Sequence, residues 1–292
     1  MSGAVVEFAP AKVNLTLRVG PPRADGYHPL ASVVAFADWG DAVSAAPAEA
    51  LTLSLTGPGG ESLRAEPQNL VLKAAYALRA AAERPELGAA LTLEKHLPVA
   101  AGLGGGSSDA AAALRALNTL WDLGFSTKAL AEIGGVVGAD VPACVHSKPL
   151  LMSGIGETIQ PLIAWPALYA VLANPGVATP TGAIFKAYDE HGPAGLDPVR
   201  TPAAGGFGDA LSYLSASAND LQTTALLREP AVRETLNALE RLKDVRLVRM
   251  TGSGATCFGL FETEAAAKAG ADFLAEAKPD WTVRAVLLGG AA

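Results

Sequence analysis

The stretch from Leu97 to Trp121, "LPVAAGLGGGSSDAAAALRALNTLW", limits what this chain can become more than any other. Four glycines fall between positions 102 and 106, followed by two serines, an aspartate and a run of alanines. Glycine reaches positive φ and lets a ligand approach the backbone without a Cβ in the way. Alanine is the strongest helix former. The pattern predicts a strand-to-helix turn whose successive amides converge on an anion. The unpaired N–H groups and positive dipole end of the helix add to that attraction. Ser107 and Ser108 contribute hydroxyl donors, and either can reach a magnesium ion through phosphate. The loop therefore suits a di- or triphosphate. It is neither of the two best-known phosphate loops. No lysine followed by Ser or Thr closes it, and Ser107 stands where the dinucleotide fingerprint needs its third glycine. The plain alternative is a flexible connection, which has little use for so many glycines beside a helix start.

The rest of the chain sets the limits around that loop. Its 292 residues, half of them hydrophobic, suffice for one large domain or two modest ones with a real core. Net charge is −7 and no basic block is interleaved with aromatics, which argues against a nucleic-acid partner. Cys144 and Cys257 lie far apart, form no CxxC pair, and are expected as buried free thiols. No set of side chains has metal-ligand spacing. The N-terminus lacks the basic-then-apolar layout of a secretory signal, and no apolar run approaches membrane-spanning length. A cytoplasmic protein without a membrane partner is the expectation.

The first hundred residues read mainly as strands: "AVVEFAPAKVNLTLRV", broken at Pro10, then "GYHPLASVVAFADWGDAVSA" after a turn at Asp25-Gly26, "LTLSLTG" and "AALTLEKHLP". One helix is predicted from a cap at Asn69, another over Ala110–Leu123 with Gly124 beyond it, and a short capped one from Ser126. A hairpin follows within "HSKPLLMSGIGETIQPL", and "ALYAVLANPGVATPTGAIFKAYDE" reads as β-rich. A loose Gly/Pro stretch runs from His191 to Gly208, and the last third alternates helix and strand. Strands mixed with helices, rather than strict βαβ alternation, predict an α+β fold. A boundary near residue 160 gives domains 1–160 and 161–292.

Several side chains stand out. Asp140, in "GADVP", lies in a constrained segment, where an aspartate serves equally as a cap or as a base. Lys12 sits among strand residues, where a lone lysine is more often solvated. Asn14 shares its strand face by the two-residue period. Lys95 precedes the glycine loop by a few positions. In "DGYH" the turn accounts for Asp25 and Gly26 but not for Tyr27 and His28. A tyrosine face and a histidine donor suit a flat nucleobase.

The motif P-x-x-x-G-L-G, small residues and an Ala-rich helix resembles the phosphate loop of the GHMP kinases. "APAKVNLTL", "RADGYHPL", "GADVPACV" and "TGSGATCFGLF" are similar to further motifs of that family, in the same order along nearly the whole chain. The double serine and extra glycine resemble the branch acting on 4-diphosphocytidyl-2-C-methyl-D-erythritol, whose 2-hydroxyl is phosphorylated by ATP on the non-mevalonate route to isoprenoid precursors. The resemblance implies two α+β lobes with the active site in the cleft between them, ATP, and Mg²⁺ bridging its phosphates. It makes Asp140 the proton acceptor and Lys12 its orienting partner, with Asn14 at the same site. Pro98, Val99, Ala100, Ala101, Gly102, Leu103, Gly104, Gly105, Gly106, Ser107 and Ser108 would hold ATP, with Lys95 on the nucleotide side. Tyr27 and His28 would hold the cytosine, and Phe185 is a candidate for its other face, or else a core aromatic. Asp109 is expected to point away from the nucleotide and cap its helix. A different small-alcohol kinase of the family gives no reason for "DGYH". A non-catalytic sensor on the same fold gives none for keeping both Asp140 and Lys12.

Overall fold

β-Branched and apolar residues alternate with small or polar ones through the first hundred positions, and the chain there is mostly strand. The computed structural model describes residues 3–63, 68–190, 196, 201–202 and 205–289. In chain order its elements are β1 (Val5–Asn14), β2 (Arg18–Val19), β3 (Leu30–Pro47), β4 (Leu51–Thr56), α1 (Gly60–Leu63), α2 (Leu70–Ala81), β5 (Ala89–Glu94), α3 (Gly105–Leu120), α4 (Thr127–Gly135) and α5 (Val141–His146). There follow β6 (Leu150–Gly154), β7 (Thr158–Pro161), β8 (Leu168–Asn174), α6 (Thr181–Glu190), α7 (Phe207–Ser215), α8 (Gln222–Arg228), α9 (Pro230–Glu240), β9 (Leu247–Met250), β10 (Cys257–Phe261), α10 (Glu264–Ala277) and β11 (Thr282–Leu288). The fold is α+β.

The residues group into two compact units, neither continuous in sequence. One comprises the chain up to Ala11, Trp39–Val99 and Gly104–Ser147; the other comprises Lys12–Asp38, Ala100–Leu103 and the chain from Lys148. In the first, the second half of β3 pairs antiparallel with β5, and β5 pairs parallel with β4. Helix α3 packs against α2, α4 and α5. Most of its middle is buried, with Ala110, Ala111, Ala112 and Ala113 fully so, as suits a central helix. Alanine leaves its neighbours room to approach.

In the second unit, β11, β8, β10 and β9 form an antiparallel sheet in that order. Helices α9 and α10 pack on it. The chain order β8, helices, β9, β10, α10, β11 with this strand order is a split βαβ arrangement. Val171, Met250, Phe261 and Leu239 meet in its core. The first half of β3 pairs with β2 and β6, and β6 with β7, so both expected hairpins are present.

Three local expectations differ from the structure. Helix α3 starts at Gly105, not Ala110. Its first turn needs no intrahelical N–H partners, so glycine is tolerated there. The segment Thr181–Glu190, read as part of a β-rich stretch, is helix α6. Ile184, Ala187 and Tyr188 are its buried residues, and their three- and four-residue spacing outweighs the β preference of the single residues. β1 runs on through Pro10 rather than breaking there. Most of the Gly/Pro stretch from His191 to Gly208 lies outside the described residues.

Candidate active site

The glycine loop turns its carbonyls inward. Leu103 O accepts the Lys12 amide at 2.8 Å, Ala101 O accepts Thr256 N at 3.2 Å, and Ala100 O accepts Thr179 N at 3.3 Å. Gly102 O takes the Thr251 hydroxyl at 3.4 Å, and Gly104 O takes Ser108 N at 2.9 Å. With these carbonyls engaged, the polar backbone groups left for a ligand are amides. Gly104 holds the N-cap position of α3 at φ 60° with no side-chain capping bond, so the first-turn N–H groups carry the helix's positive end.

Glycine is required at Gly102, where φ is 76° and an added Cβ would lie 2.7 Å from both Thr251 O and Gly254 O. A Cβ on Gly252 would lie 2.9 Å from Gly102 O. The loop after β9, "TGSG", thus seats directly on the Ala100–Leu103 backbone. Thr251 Oγ1 also accepts the amide of Asn14 at 2.9 Å. Asn14 Nδ2 donates to Ser32 Oγ at 2.7 Å. Arg249 adds a further tie, donating to the carbonyls of Leu15, Leu214 and Ser217 at 2.7, 2.9 and 2.8 Å. Burial pushes its guanidinium down to about 10. These contacts pin the end of β1 that carries Lys12, which is 3% exposed. The solvated reading of that lysine is excluded.

Asp140 stands at the N-cap position of α5, with φ −85°, and makes no capping bond with its side chain. The cap reading is therefore not its role. Helix α5 is held by Arg115 of α3, which donates to Cys144 O at 3.2 Å, Phe8 O at 2.7 Å and Glu7 at 2.8 Å. Gly134 lets Val141 approach closely, since a Cβ there would lie 2.7 Å from Val141 Cγ1.

The "DGYH" turn forms as read: Gly26 adopts φ 82°, and Tyr27 N donates to Asp25 Oδ1 at 3.1 Å. Tyr27 is exposed and His28 buried. The His28 ring lies 5.0 Å from the Phe185 ring, tilted by 44°. Its Nδ1 donates to Gly20 O at 2.9 Å, and Nε2 lies 3.5 Å from Asp189 Oδ1. The structure thus brings His28 and Phe185 together, and the second half of "DGYH" has a structural partner.

Two expectations shift. Ser108 is buried and donates its hydroxyl to Pro10 O at 2.6 Å, so that hydroxyl faces into the fold. Asp109 does not cap α3. Its carboxylate accepts from Lys95 Nζ at 2.7 Å, and Lys95 also meets Asp41 at 2.5 Å. Lys95 is 2% exposed and lies beneath the loop, enclosed by carboxylates.

Residues 69–148 match the family model described as GHMP kinases N terminal domain, and residues 200–280 that described as GHMP kinases C terminal. The chain is 47% identical over 292 residues to 4-diphosphocytidyl-2-C-methyl-D-erythritol kinase of Parvibaculum lavamentivorans, covering 99% of this chain and 100% of that one. The chain belongs to the GHMP kinase family. The protein of the same name from Rhodopseudomonas palustris is 48% identical over 288 residues, covering 95% of each chain. A crystal structure of 4-(cytidine 5'-diphospho)-2C-methyl-D-erythritol kinase superposes with a TM-score of 0.79 at 33% identity, covering 98% of this chain and 100% of that one.

In this GHMP kinase the motifs that carry Lys12, Asp140 and the glycine loop stand out in the sequence. The sequence does not show Asp41, an isolated acid in β3, or the seating of Thr251 on the loop. "TGSG" was visible as a motif, but its partner lies about 150 residues away, as the Thr251–Gly102 separation of 149 records. No helix among the described residues is long and apolar enough to cross a membrane. Both cysteines are buried free thiols, and burial raises the Cys257 thiol well above its usual range.

Proposed function

We propose that this kinase transfers the γ-phosphoryl group of ATP to the 2-hydroxyl of 4-diphosphocytidyl-2-C-methyl-D-erythritol, within the cytoplasm, on the non-mevalonate route to isoprenoid precursors. The observation that carries this is the 47% identity, across 99% of the chain, to a protein of that name. The His28–Phe185 ring pair supports it, because a small acceptor without a base has no use for two converging rings.

The chain's own groups divide the work. Loop amides from Gly102 to Ser107 hold the polyphosphate, and the inward-turned carbonyls keep oxygen lone pairs away from it. ATP, when bound, supplies the electrophilic phosphorus and the leaving ADP. The loop fits such a group because its carbonyls are engaged within the fold and the first-turn N–H groups of α3 carry no side-chain cap. Ser108 commits its hydroxyl to Pro10, so we assign Ser107 as the loop hydroxyl toward a phosphate-bound Mg²⁺. Asp140 accepts the acceptor's hydroxyl proton, and Lys12 supplies positive charge for the oxygen that develops. Asn14 shapes the same strand end. His28 donates Nδ1–H to Gly20 O, which fixes its ring beside Phe185; we assign its Nε2 edge to the polar rim of the cytosine. Tyr27 and Phe185 offer ring faces to the base.

A coupled assay of ADP release against a panel of alcohols tests the reading. The cytidylated methylerythritol is expected as the acceptor, with homoserine, mevalonate and free methylerythritol 4-phosphate near background. Equal use of the uncytidylated acceptor would overturn it.

A further inference from the structure

Lys95 is walled in by glycines. Its amide donates to Thr56 O at 2.9 Å, and its carbonyl accepts Gly59 N at 3.1 Å. A Cβ on Gly57 would lie 2.6 Å from Lys95 O, one on Gly59 2.7 Å from Lys95 Cγ, and one on Gly105 2.9 Å from Lys95 Nζ. The ammonium therefore rests against the first residue of α3. Asp41 and Asp109, 0% and 2% exposed, grip it from two sides at 2.5 and 2.7 Å. The second oxygen of Asp41 accepts the amides of His96 and Leu97 at 2.6 and 2.8 Å. One carboxylate thus fixes both the lysine and the backbone leading into the loop. The second oxygen of Asp109 is buried with no hydrogen-bond partner among the described residues.

Stability alone is a poor reason for this arrangement. A buried ion cluster gains little over well-packed apolar side chains of similar volume, because each charge must first leave water. What such a cluster supplies is a fixed position: a charged group satisfied from two directions cannot drift. Here the fixed object is the ammonium under Gly105, and Gly105 carries one of the amides assigned to phosphate.

We propose that Asp41 and Asp109 are positioning residues for nucleotide binding, acting through Lys95, whose clamped ammonium sets the geometry of the first turn of α3. The proposal rests on the reading of the glycine loop as the ATP site. None of the three side chains needs to touch the nucleotide.

Two variants of the full-length kinase test it. Gly59→Ala presses a methyl group on the Lys95 stem without changing any charge, and Gly59 lies outside the loop. Asp109→Asn keeps the shape of the clamp but replaces its carboxyl group with an amide, which changes the hydrogen bonding to Lys95, and it serves where the alanine variant fails to fold. The measurements are the Kd of a non-hydrolysable ATP analogue by calorimetry, KM for ATP, kcat at saturating ATP, and KM for the acceptor. The expected result is a rise of roughly tenfold in Kd and KM for ATP, the scale of one distorted charge-assisted hydrogen bond. The acceptor KM should stay unchanged, and kcat should stay within about twofold. Folded variants that melt earlier yet keep wild-type Kd and KM for ATP would reduce the cluster to scaffolding and overturn the proposal. Failure of the wild-type protein to bind the analogue would sink the ATP reading itself, and the proposal with it.

Discussion

At the scale of single residues, Asp140 lost one of its two readings once its surroundings were known. An aspartate before a short helix is usually its cap, yet Asp140 makes no such bond. Asp140→Asn keeps the shape and cannot take a proton. Single-turnover phosphoryl transfer is expected to fall a hundred- to ten-thousandfold, roughly 3–5 kcal/mol of barrier, with melting temperature and substrate binding retained. Early melting with wild-type transfer would return Asp140 to a turn residue. Tyr27 is exposed, so its ring is open to a base. Tyr27→Ala is expected to weaken acceptor use by about 1–3 kcal/mol, the scale of base–aromatic stacking, while ATP affinity stays unchanged. Steady-state kinetics in both substrates separate the two. By residue type alone Lys12 reads as solvated and Asp140 as a cap or turn residue as readily as a base; the resemblance of their motifs to the GHMP kinases is what singles them out. Asp41 was not legible, because an acid in a strand looks solvated until its partner is known.

At the scale of elements, the sequence marked the glycine loop, the two hairpins and the helix caps at Asn69 and Ser126, all decided within a few residues. It did not mark the seating of "TGSG" on the loop, because backbone-to-backbone contact leaves no side-chain pattern to read. That contact has a measurable cost when disturbed. Gly102→Ala places a Cβ against two carbonyls at positive φ. Strain of that kind runs to about 1–3 kcal/mol, so a melting temperature several degrees lower is expected in thermal unfolding. Gly105→Val acts differently, since its side chain would meet Lys95 rather than open ligand space. Weaker binding of an ATP analogue is expected by calorimetry, through displacement of the clamped ammonium. Helix α6 was misread for the opposite reason: its β-formers are local, while its helical spacing shows only over ten residues.

At the scale of the whole molecule, the cluster around Lys95 tunes stability to pH. Burial, and then the neighbouring Asp41, outweigh the pull of Lys95 and push Asp109 up to about 8. Burial lowers Lys95, but Asp109 and Asp41 more than restore it. The folded protein thus keeps a proton on Asp109 that the unfolded chain releases near pH 4. Stability from this group is fully present below that value and is lost as pH rises toward 8. Urea melts across pH 4–8 should show the wild type losing stability relative to Asp109→Asn as pH rises; parallel curves would contradict the shift. A single cut near residue 160 reads composition, whereas compactness groups the chain otherwise, because β1 and β3 are long enough to serve both units. The bonds that pin the end of β1 span 237 and 234 residues, from Asn14 to Thr251 and from Leu15 to Arg249. At synthesis rates of about 5–20 residues per second, the segment holding Lys12 waits roughly 10–50 s on the ribosome before the partners that fix it exist. A nascent chain therefore carries Lys12 well before the contacts that fix its strand end can form.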